Sequence, residues 1–300
     1  MTEDPQNRCP SPLLHRRDWL ILNLGVAAGF GAVSAPSAAQ APPASRAAER
    51  MPRVGVEAAL VASGLAGHLR EALKRDTGLL LQWVADPGGM LLPVLERGEL
   101  DAAFTGTPDT ESALERKGLV HDRRLIASND HVLVGPTPVR ATKKTAASGD
   151  PAGVAGGRDI AAALARIAEA GSRGEAGYVA TGEASGTRGV EQAAWKLAGP
   201  LALGPWLRTA GAGPLAALQL ARESGSYTLV ERGVWLAAGA GSGLAPLVED
   251  PARLAVPYHA MRPFRSQHPA AKLALNWLAG PNGQRAVAGF GRGYRRAAGR

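Results

Sequence analysis

The sequence predicts an α/β protein whose sheets are largely parallel. Short apolar runs alternate with segments of helical periodicity, and glycine or proline residues separate them. Such alternation is typical of parallel strands that are joined by helices. A chain of 300 residues is long enough for one doubly wound sheet or for two lobes of ordinary size. No apolar run after residue 50 approaches the roughly 18 residues of a membrane span.

The first half of the pattern begins with a predicted strand at 54–61. The helix that follows it has leucines at helical spacing from Leu65 and ends at Gly78, because glycine readily adopts the left-handed conformation of a helix end. Further along, Ser112 and Glu115 have the spacing of a capping box. The other elements predicted here are strands at 79–84 and 101–106, helices at 90–100 and 107–118, and one long bent strand or a strand pair at 123–138.

The second half continues the alternation after a turn-rich segment at 140–158. A clear amphipathic helix runs from Asp159 to Gly171, and a strand at 177–182 leads into a helix that opens at 185–188. The remaining predictions are strands at 226–230, 244–250 and 254–261, helices at 213–225 and 231–241, and two closing helices within 268–291.

The N-terminal segment, residues 1–41, has the features of an export signal. The pair Arg16–Arg17 precedes a modestly apolar stretch, and a small-residue cleavage site ends at Ala41. The paired arginines resemble a twin-arginine signal, and an ordinary secretory signal is the alternative. Cleavage would remove Cys9, so the exported chain would contain no cysteine for a disulfide, a thiol nucleophile or a metal. We therefore predict a soluble periplasmic protein with a loose tether at 42–53.

Charge and motif content argue against several classes of function. The net charge is +8, but the basic residues are scattered and do not interleave with aromatic residues, so no nucleic-acid partner is predicted. The six histidines never have metal-ligand spacing, and the sequence shows no phosphate-binding loop, nucleophile elbow or carboxylate pair. We therefore predict no catalytic residue, no metal, no cofactor and no enzymatic activity.

Five short segments, in order along the chain, carry patterns that point to one family. The most informative is Y-V-A-T-G-E-A-S-G-T-R-G-V-E at 178–191. The others lie at 95–118, 129–136, 225–237 and 275–291. These patterns resemble those of the tungstate-binding proteins of tungstate ABC importers (the TupA type). In that family the motif that corresponds to residues 178–191 reads aromatic-x-S-R-G-D-x-S-G-T-H-x-x-E. The resemblance covers the chain from about Val54 to Gly293.

This resemblance implies the type II periplasmic-binding-protein fold. In that fold two α/β lobes with mixed, mostly parallel sheets flank a central cleft, and hinge motion closes them around a ligand. We expect residues 54–135 and 256–300 to form one lobe and residues 136–255 to form the other. The crossing strands are expected near 134–136 and 254–258. The partners implied are a small anionic ligand and an ABC transporter permease, and the chain is expected to be a monomer.

The resemblance also implies a set of ligand-binding residues at the start of the 185–188 helix and near residue 63. A helix N-terminus presents free N–H groups to an anion, and serine or threonine hydroxyls can donate further hydrogen bonds. The residues predicted to bind ligand are Ser63, Thr181, Ser185, Gly186, Thr187 and Arg188. Alternatively, Ser185 and Ser63 only cap the helices that follow them, and Arg188 pairs with Glu191 or faces solvent.

Other parts of the family's site are replaced in this chain. The family's T-T-T-S-T stretch corresponds to Val56–Leu60, and its arginine corresponds to Thr181. Each lost charge-assisted hydrogen bond removes roughly 1.5–3 kcal/mol, so several such losses would lower oxyanion affinity by several factors of ten. Glu57 would repel a dianion if it faced the cleft. Thr181 retains a donor without charge.

These observations predict a solute-binding protein of an ABC importer, similar to proteins for tungstate- or molybdate-type oxyanions but with altered ligand preference. The alternative is a degenerate binding-protein fold that acts as a protein-interaction, sensor or enzyme-maturation module. The loss of hydroxyl groups from the site and the twin-arginine-like signal motivate that alternative.

Overall fold

A computed structural model describes the chain at residues 50–139, 149–182, 184–200, 204–239 and 243–297. The predicted signal at 1–41, most of the predicted tether and much of the turn-rich segment at 140–158 lie outside these ranges. Within these ranges, no helix is both long enough and apolar enough to cross a membrane.

The described residues form alternating strands and helices, as the sequence pattern predicts. The strands are β1 (Arg53–Glu57), β2 (Gln82–Asp86), β3 (Ala102–Thr105), β4 (Val120–Pro136), β5 (Tyr178–Ala180), β6 (Leu207–Thr209), β7 (Thr228–Glu231), β8 (Leu244–Glu249), β9 (Ala255–Pro263) and β10 (Arg295–Arg296). The helices are α1 (Ala58–Ala62), α2 (Leu65–Thr77), α3 (Gly88–Glu96), α4 (Pro108–Arg116), α5 (Ile160–Ser172), α6 (Gly186–Ala198), α7 (Ala216–Ser224), α8 (Arg232–Ala238), α9 (Pro269–Ala279) and α10 (Pro281–Phe290).

The strands form a mixed sheet and a short second pair. The larger sheet has eight strands in the order β10–β4–β9–β3–β1–β2, and β7 and β8 also pair with β4. β1 is parallel to β2 and β3, and β5 is parallel to β6. The long strands β4 and β9 contribute the antiparallel pairs. The α/β class with mixed sheets is therefore confirmed, and its parallel part consists of β1–β3 and β5–β6.

Strand β4 is shared by two groups of partners. It pairs with β9 as far as Asp130 and with β7 from His131 onward. The change of partner therefore falls between these two residues, several positions before the crossing expected near 134–136. The lobe boundaries given above remain predictions.

Two groups of buried side chains lie on either side of this change. The first core lies around β1, β3 and β9 and includes Leu69, Phe104 and Tyr258. The second core lies around β5, β7 and β8 and includes Ile167 and Tyr227. A further cluster joins Ala59 of α1 to residues of β4, β7 and α8, so that α1 packs against the second group.

Three local predictions are corrected by the structure. The strand predicted at 54–61 ends at Glu57, because the alanine-rich residues that follow favour the helix α1. Ser112 lies inside α4, whose N-cap is Thr107, and the N–H of Thr107 donates instead to Glu111 Oε1 at 2.9 Å. The last residues of the predicted tether are anchored, since Arg50 donates to both carboxylate oxygens of Asp101 at 2.7 and 2.6 Å.

Candidate ligand site

Three of the predicted ligand residues meet in a very small enclosed cavity. Thr181, Ser185 and Thr187 line it together with Glu231 of β7. The cavity has a volume of only about 10 Å³. One water molecule needs about 10–15 Å³, so the space admits at most one water and not a four-oxygen anion. The apolar part of its wall consists of Ala59, Pro214, Ala217, Leu218, Leu229, Val230 and Val234.

The hydroxyl of Thr187 is already committed to a buried histidine. His131 Nδ1 lies 3.2 Å from the carbonyl oxygen of Leu254, and its Nε2 lies 3.1 Å from Thr187 Oγ1. A carbonyl can only accept, so Nδ1 carries the proton and Nε2 accepts from the threonine hydroxyl. Burial lowers the pKa of His131 to about 4, which keeps the ring neutral at neutral pH. Thr187 therefore has no hydroxyl hydrogen to offer a ligand in this arrangement.

Ser185 is the N-cap of α6. Its hydroxyl oxygen accepts from the N–H of Arg188 at 3.2 Å, so Ser185 caps this helix, and its predicted role in ligand binding stays a prediction. Ser185 also lines both this cavity and a larger one that is described below. A serine hydroxyl can donate one hydrogen bond while it accepts another, so capping alone does not exclude a contact with ligand.

Arg188 pairs with Glu191, which is the other alternative that the sequence left open. Its Nη1 lies 3.0 Å from Glu191 Oε2. Glu191 is fully buried and also accepts from the hydroxyl of Tyr178 at 2.8 Å and the N–H of Thr181 at 3.0 Å. Burial raises the pKa of Glu191, and these donors oppose the rise. The predicted residues Thr181 and Arg188 thus both contact one buried carboxyl.

The N–H of Gly186 is also occupied by a side chain of this protein. It donates to Glu57 Oε1 at 3.2 Å, and the N–H of Gly106 donates to Glu57 Oε2 at 3.2 Å. The Glu57 side chain is buried, and burial raises its pKa to about 7 against the opposing effect of its backbone donors. The sequence raised Glu57 only as a source of repulsion, and its role as acceptor for the predicted ligand-binding N–H was missed.

Ser63 lies apart from the other predicted ligand residues. Its hydroxyl contacts the hydroxyl of Tyr294 at 2.7 Å and the carbonyl oxygen of Leu60 at 3.2 Å. It does not cap α2 either, because the N-cap of that helix is Gly64, a residue with a φ of +89° that has no side-chain cap. Ser63 instead ends α1, and its hydroxyl faces the buried tyrosine. It lines neither of the cavities described here.

A third buried carboxyl, that of Glu231, caps α8 beside the small cavity. Glu231 accepts from the N–H of Val234 at 2.9 Å and from the side-chain amide of Asn129. Burial raises the pKa of Glu231 to about 7. The helix starts that face the small cavity, α6 and α8, are therefore capped by groups of the chain itself.

A larger, open cavity adjoins Ser185. Its volume is about 660 Å³, within the range of small-molecule sites. It lies between the starts of α4 and α6 and the beginning of β9, and its charged lining residues are Asp109, Arg188 and Arg253. Thr107 also lines it, and the buried hydroxyl oxygen of this threonine has no hydrogen-bond partner among the described residues. Across the same described ranges, no cluster of three or more His, Cys, Asp or Glu side chains is placed to hold a metal ion.

The hydrogen bond between Thr187 and His131 gives a prediction about stability. Thr187→Val should lower the free energy of unfolding by about 1–3 kcal/mol, because it leaves the buried His131 Nε2 without a donor. Chemical denaturation would measure the loss. Thr209→Val, at an exposed strand position, is the matched control and should change stability by no more than about 0.5 kcal/mol. Equal stability of Thr187→Val and the native protein would show that the contact between Thr187 and His131 does not stabilise the fold.

Comparisons with known proteins agree with the motifs. No family model matches the chain. A Haloferax volcanii protein with the provisional name ABC transporter anion-binding protein is 28% identical over 238 residues, which are 76% of this chain and 65% of the relative. The chain thus spans less than two thirds of that relative's length. The tungstate-binding protein TupA of Peptoclostridium acidaminophilum is 27% identical over 237 residues, which are 77% of this chain and 78% of that protein.

A solved structure extends the agreement to the fold. The crystal structure of the tungstate ABC transporter from Geobacter sulfurreducens has a TM-score of 0.68 and 28% identity, and the match covers 81% of this chain and 99% of the solved one. The chain is therefore similar, in sequence and in fold, to substrate-binding proteins of the TupA type.

Proposed function

We propose that this chain is an exported, periplasmic solute-binding protein of an ABC importer and that it binds a small anion other than a tetrahedral oxyanion. It would act as a monomer and deliver its ligand to an ABC transporter permease. The tungstate-binding names of its relatives support the general role. The altered ligand preference rests on the site of this chain.

The contrast between the two cavities is the observation that carries this proposal. The enclosed cavity, where Thr181, Ser185 and Thr187 meet, has a volume of about 10 Å³ and a largely apolar wall. The adjoining cavity has about 660 Å³ and includes Ser185 in its lining. A ligand larger than a four-oxygen anion would therefore bind in the open cavity, where it would still contact the start of α6.

The open cavity offers donors that suit a carboxylate-bearing solute. Arg253 is about half exposed and lies 3.0 Å from Asp250 Oδ2 and 3.3 Å from Asp159 Oδ1. Because the Asp159 side chain is 53% exposed, the guanidinium can exchange this partner for a ligand carboxylate at small net change, whereas the buried Asp250 stays paired with it. The hydroxyl of Ser185, which also lines this cavity, provides a second donor. Such a site would favour an organic anion over a small compact dianion.

Titration calorimetry with the chain lacking residues 1–41 tests this proposal. We expect weak or no binding of tungstate, molybdate and sulfate. We expect measurable binding of the dicarboxylate succinate, or of a carboxylate of the size of citrate. Arg253→Gln should weaken that binding by about tenfold or more, since a charge-assisted hydrogen bond contributes roughly 1.5–3 kcal/mol. Arg166→Gln, an arginine on α5 that donates to the Gly153 carbonyl, is the matched control and should leave affinity unchanged. Sub-micromolar tungstate binding would support transport but contradict the altered preference.

The filled small cavity also favours the alternative that the fold serves as a protein-interaction, sensor or enzyme-maturation module. The N–H groups of Gly186 and Val234, which a bound anion would otherwise use, already donate to carboxyl groups of the chain itself. This alternative expects a co-purifying protein and no bound solute. Purification of a monomer that carries a small ligand would exclude it in favour of solute binding.

A further inference from the structure

The carboxyl group of Glu57 lies where three separate segments of the backbone converge. Glu57 is the last residue of β1, and its side chain is 1% exposed. Its oxygens accept from the N–H groups of Gly88, Gly106 and Gly186. These glycines stand at the start of α3, in the loop before α4 and at the start of α6.

Glycine is required for this approach. A Cβ atom on Gly88 would lie 2.2 Å from Glu57 Oε2, and one on Gly186 would lie 2.5 Å from the carbonyl oxygen of Gly106. Side chains at these positions would therefore displace the carboxyl or separate the segments. Backbone N–H groups that converge between glycines, two of them at helix N-termini, form a typical anion-binding concavity.

Backbone groups alone hold the carboxyl. Among the described residues, the hydrogen-bond donors to Glu57 are all main-chain N–H groups, and no arginine or lysine contacts it. A structural carboxylate that is this deeply buried is usually paired with a cation. Its environment is therefore that of a bound anion in a binding site and not that of an ion pair.

The contacts of Glu57 join the segments around the β1–β3 sheet to the segment that follows β5. Gly88 and Gly106 adjoin elements that pack on the β1–β3 sheet, whereas Gly186 opens α6, which follows β5. A second contact lies beside it, where the N–H of Gly89 donates to the carbonyl oxygen of Ala184 at 2.7 Å. The carboxyl thus bridges the segments between which a solute would be held.

We propose that Glu57 is a tethered anion, which occupies an anion cradle formed by the N–H groups of Gly88, Gly106 and Gly186 and so determines specificity against small free anions. A free oxyanion would have to displace a carboxyl that is covalently attached and present at high effective concentration. The biological meaning of this role rests on the proposed solute-binding function. The cradle itself exists whether or not a transporter is served.

Removal of the tethered carboxyl should leave a cradle that binds a carboxylate from solution. In Glu57→Ala, the missing atoms correspond to acetate, so acetate is the matched probe and acetamide is its neutral analogue. Glu57→Gln is the control variant, because it fills the same volume with an uncharged group. The full chain of each variant would be titrated with acetate and sulfate at pH 8, where the carboxyl of Glu57 is ionised, and at constant ionic strength. Binding would be followed by calorimetry and by thermal unfolding.

We expect Glu57→Ala to bind acetate at least about tenfold more tightly than the native protein or Glu57→Gln, and more tightly than it binds acetamide. If Glu57→Ala is unfolded without ligand, 100 mM acetate should restore its folded circular dichroism spectrum, whereas sodium chloride should not. Equal affinity of all three proteins for acetate, or failure of acetate to restore folding, would overturn the proposal. Failure of the native protein to bind a dicarboxylate in the open cavity would contradict the proposed function alone, and the acetate comparison would be unaffected.

Discussion

Arg232→Met is expected to lower the free energy of unfolding by about 3–5 kcal/mol, the range for breaking a buried ion pair by removal of one partner. Arg232 donates to both oxygens of Asp130 at 2.6 and 2.9 Å, and Asp130 has only 4% of its side chain exposed. Asp130 stands at the point where β4 changes partners from β9 to β7. Methionine keeps most of the apolar stem of the arginine, so the expected loss comes from the uncompensated carboxylate. Urea denaturation would measure it.

Two further variants separate the charge effect from general disruption. Arg70→Met removes one partner of an exposed ion pair, because Arg70 and Glu71 are 47% and 65% exposed, and it should cost no more than about 1 kcal/mol. The double variant Asp130→Asn with Arg232→Met should recover part of the lost stability, because the buried charge is then absent. A double variant that is less stable than Arg232→Met would show that packing, and not charge, dominates at this junction.

The stability difference between the native protein and Glu57→Gln should fall as pH rises from about 4.5 to about 7. Burial raises the pKa of Glu57 from 4.5 to about 7, so the folded chain holds a proton over this range that the unfolded chain releases. The stabilising effect of that proton is complete below pH 4.5 and is lost as pH approaches 7. Each pKa unit corresponds to about 1.4 kcal/mol, so the expected change over the whole interval is about 3 kcal/mol.

The difference between the two proteins isolates this group from others that titrate nearby. Burial also raises the pKa of Glu231 to about 7 and lowers that of His131 to about 4, but both residues are present in each protein. Chemical denaturation of both proteins at four pH values between 4.5 and 7.5 would measure the trend. Glu71→Gln, at a side chain that is 65% exposed, controls for loss of one carboxyl. A difference that stays constant or rises with pH would mean that the three N–H donors outweigh burial and keep Glu57 ionised.

Local signals in the sequence predicted most elements of the fold. The helix of residues 65–77 and its end at Gly78, the helix that begins at Asp159 and the cap at Ser185 each depend on residues within a few positions of one another. The boundary between β1 and α1 was misassigned because Val54–Val61 is apolar apart from Glu57 and shows no period that separates strand from helix. The family motifs supplied the two-lobe arrangement, which periodicity alone left open.

The candidate site was harder to predict because its decisive contacts connect distant parts of the chain. Thr187 meets a histidine 56 positions away, and Gly186 meets Glu57 129 positions away. A glutamate directly after a buried strand was the one available signal for the second contact. Nothing in the local sequence shows that Ser63 faces Tyr294, which lies 231 positions further along. Hydroxyl-rich turns indicate where a site is, but distant residues decide whether its donors are free.

The close approach of Gly89 and Ala184 limits which side chains this part of the chain accepts. A Cβ atom on Gly89 would lie 2.4 Å from the Ala184 carbonyl oxygen, so these two segments touch through bare backbone. Any residue other than glycine at position 89 would therefore push the start of α3 away from the residues that precede α6. Because Gly186 follows shortly after this contact, the same shift would draw its N–H group away from the carboxyl of Glu57.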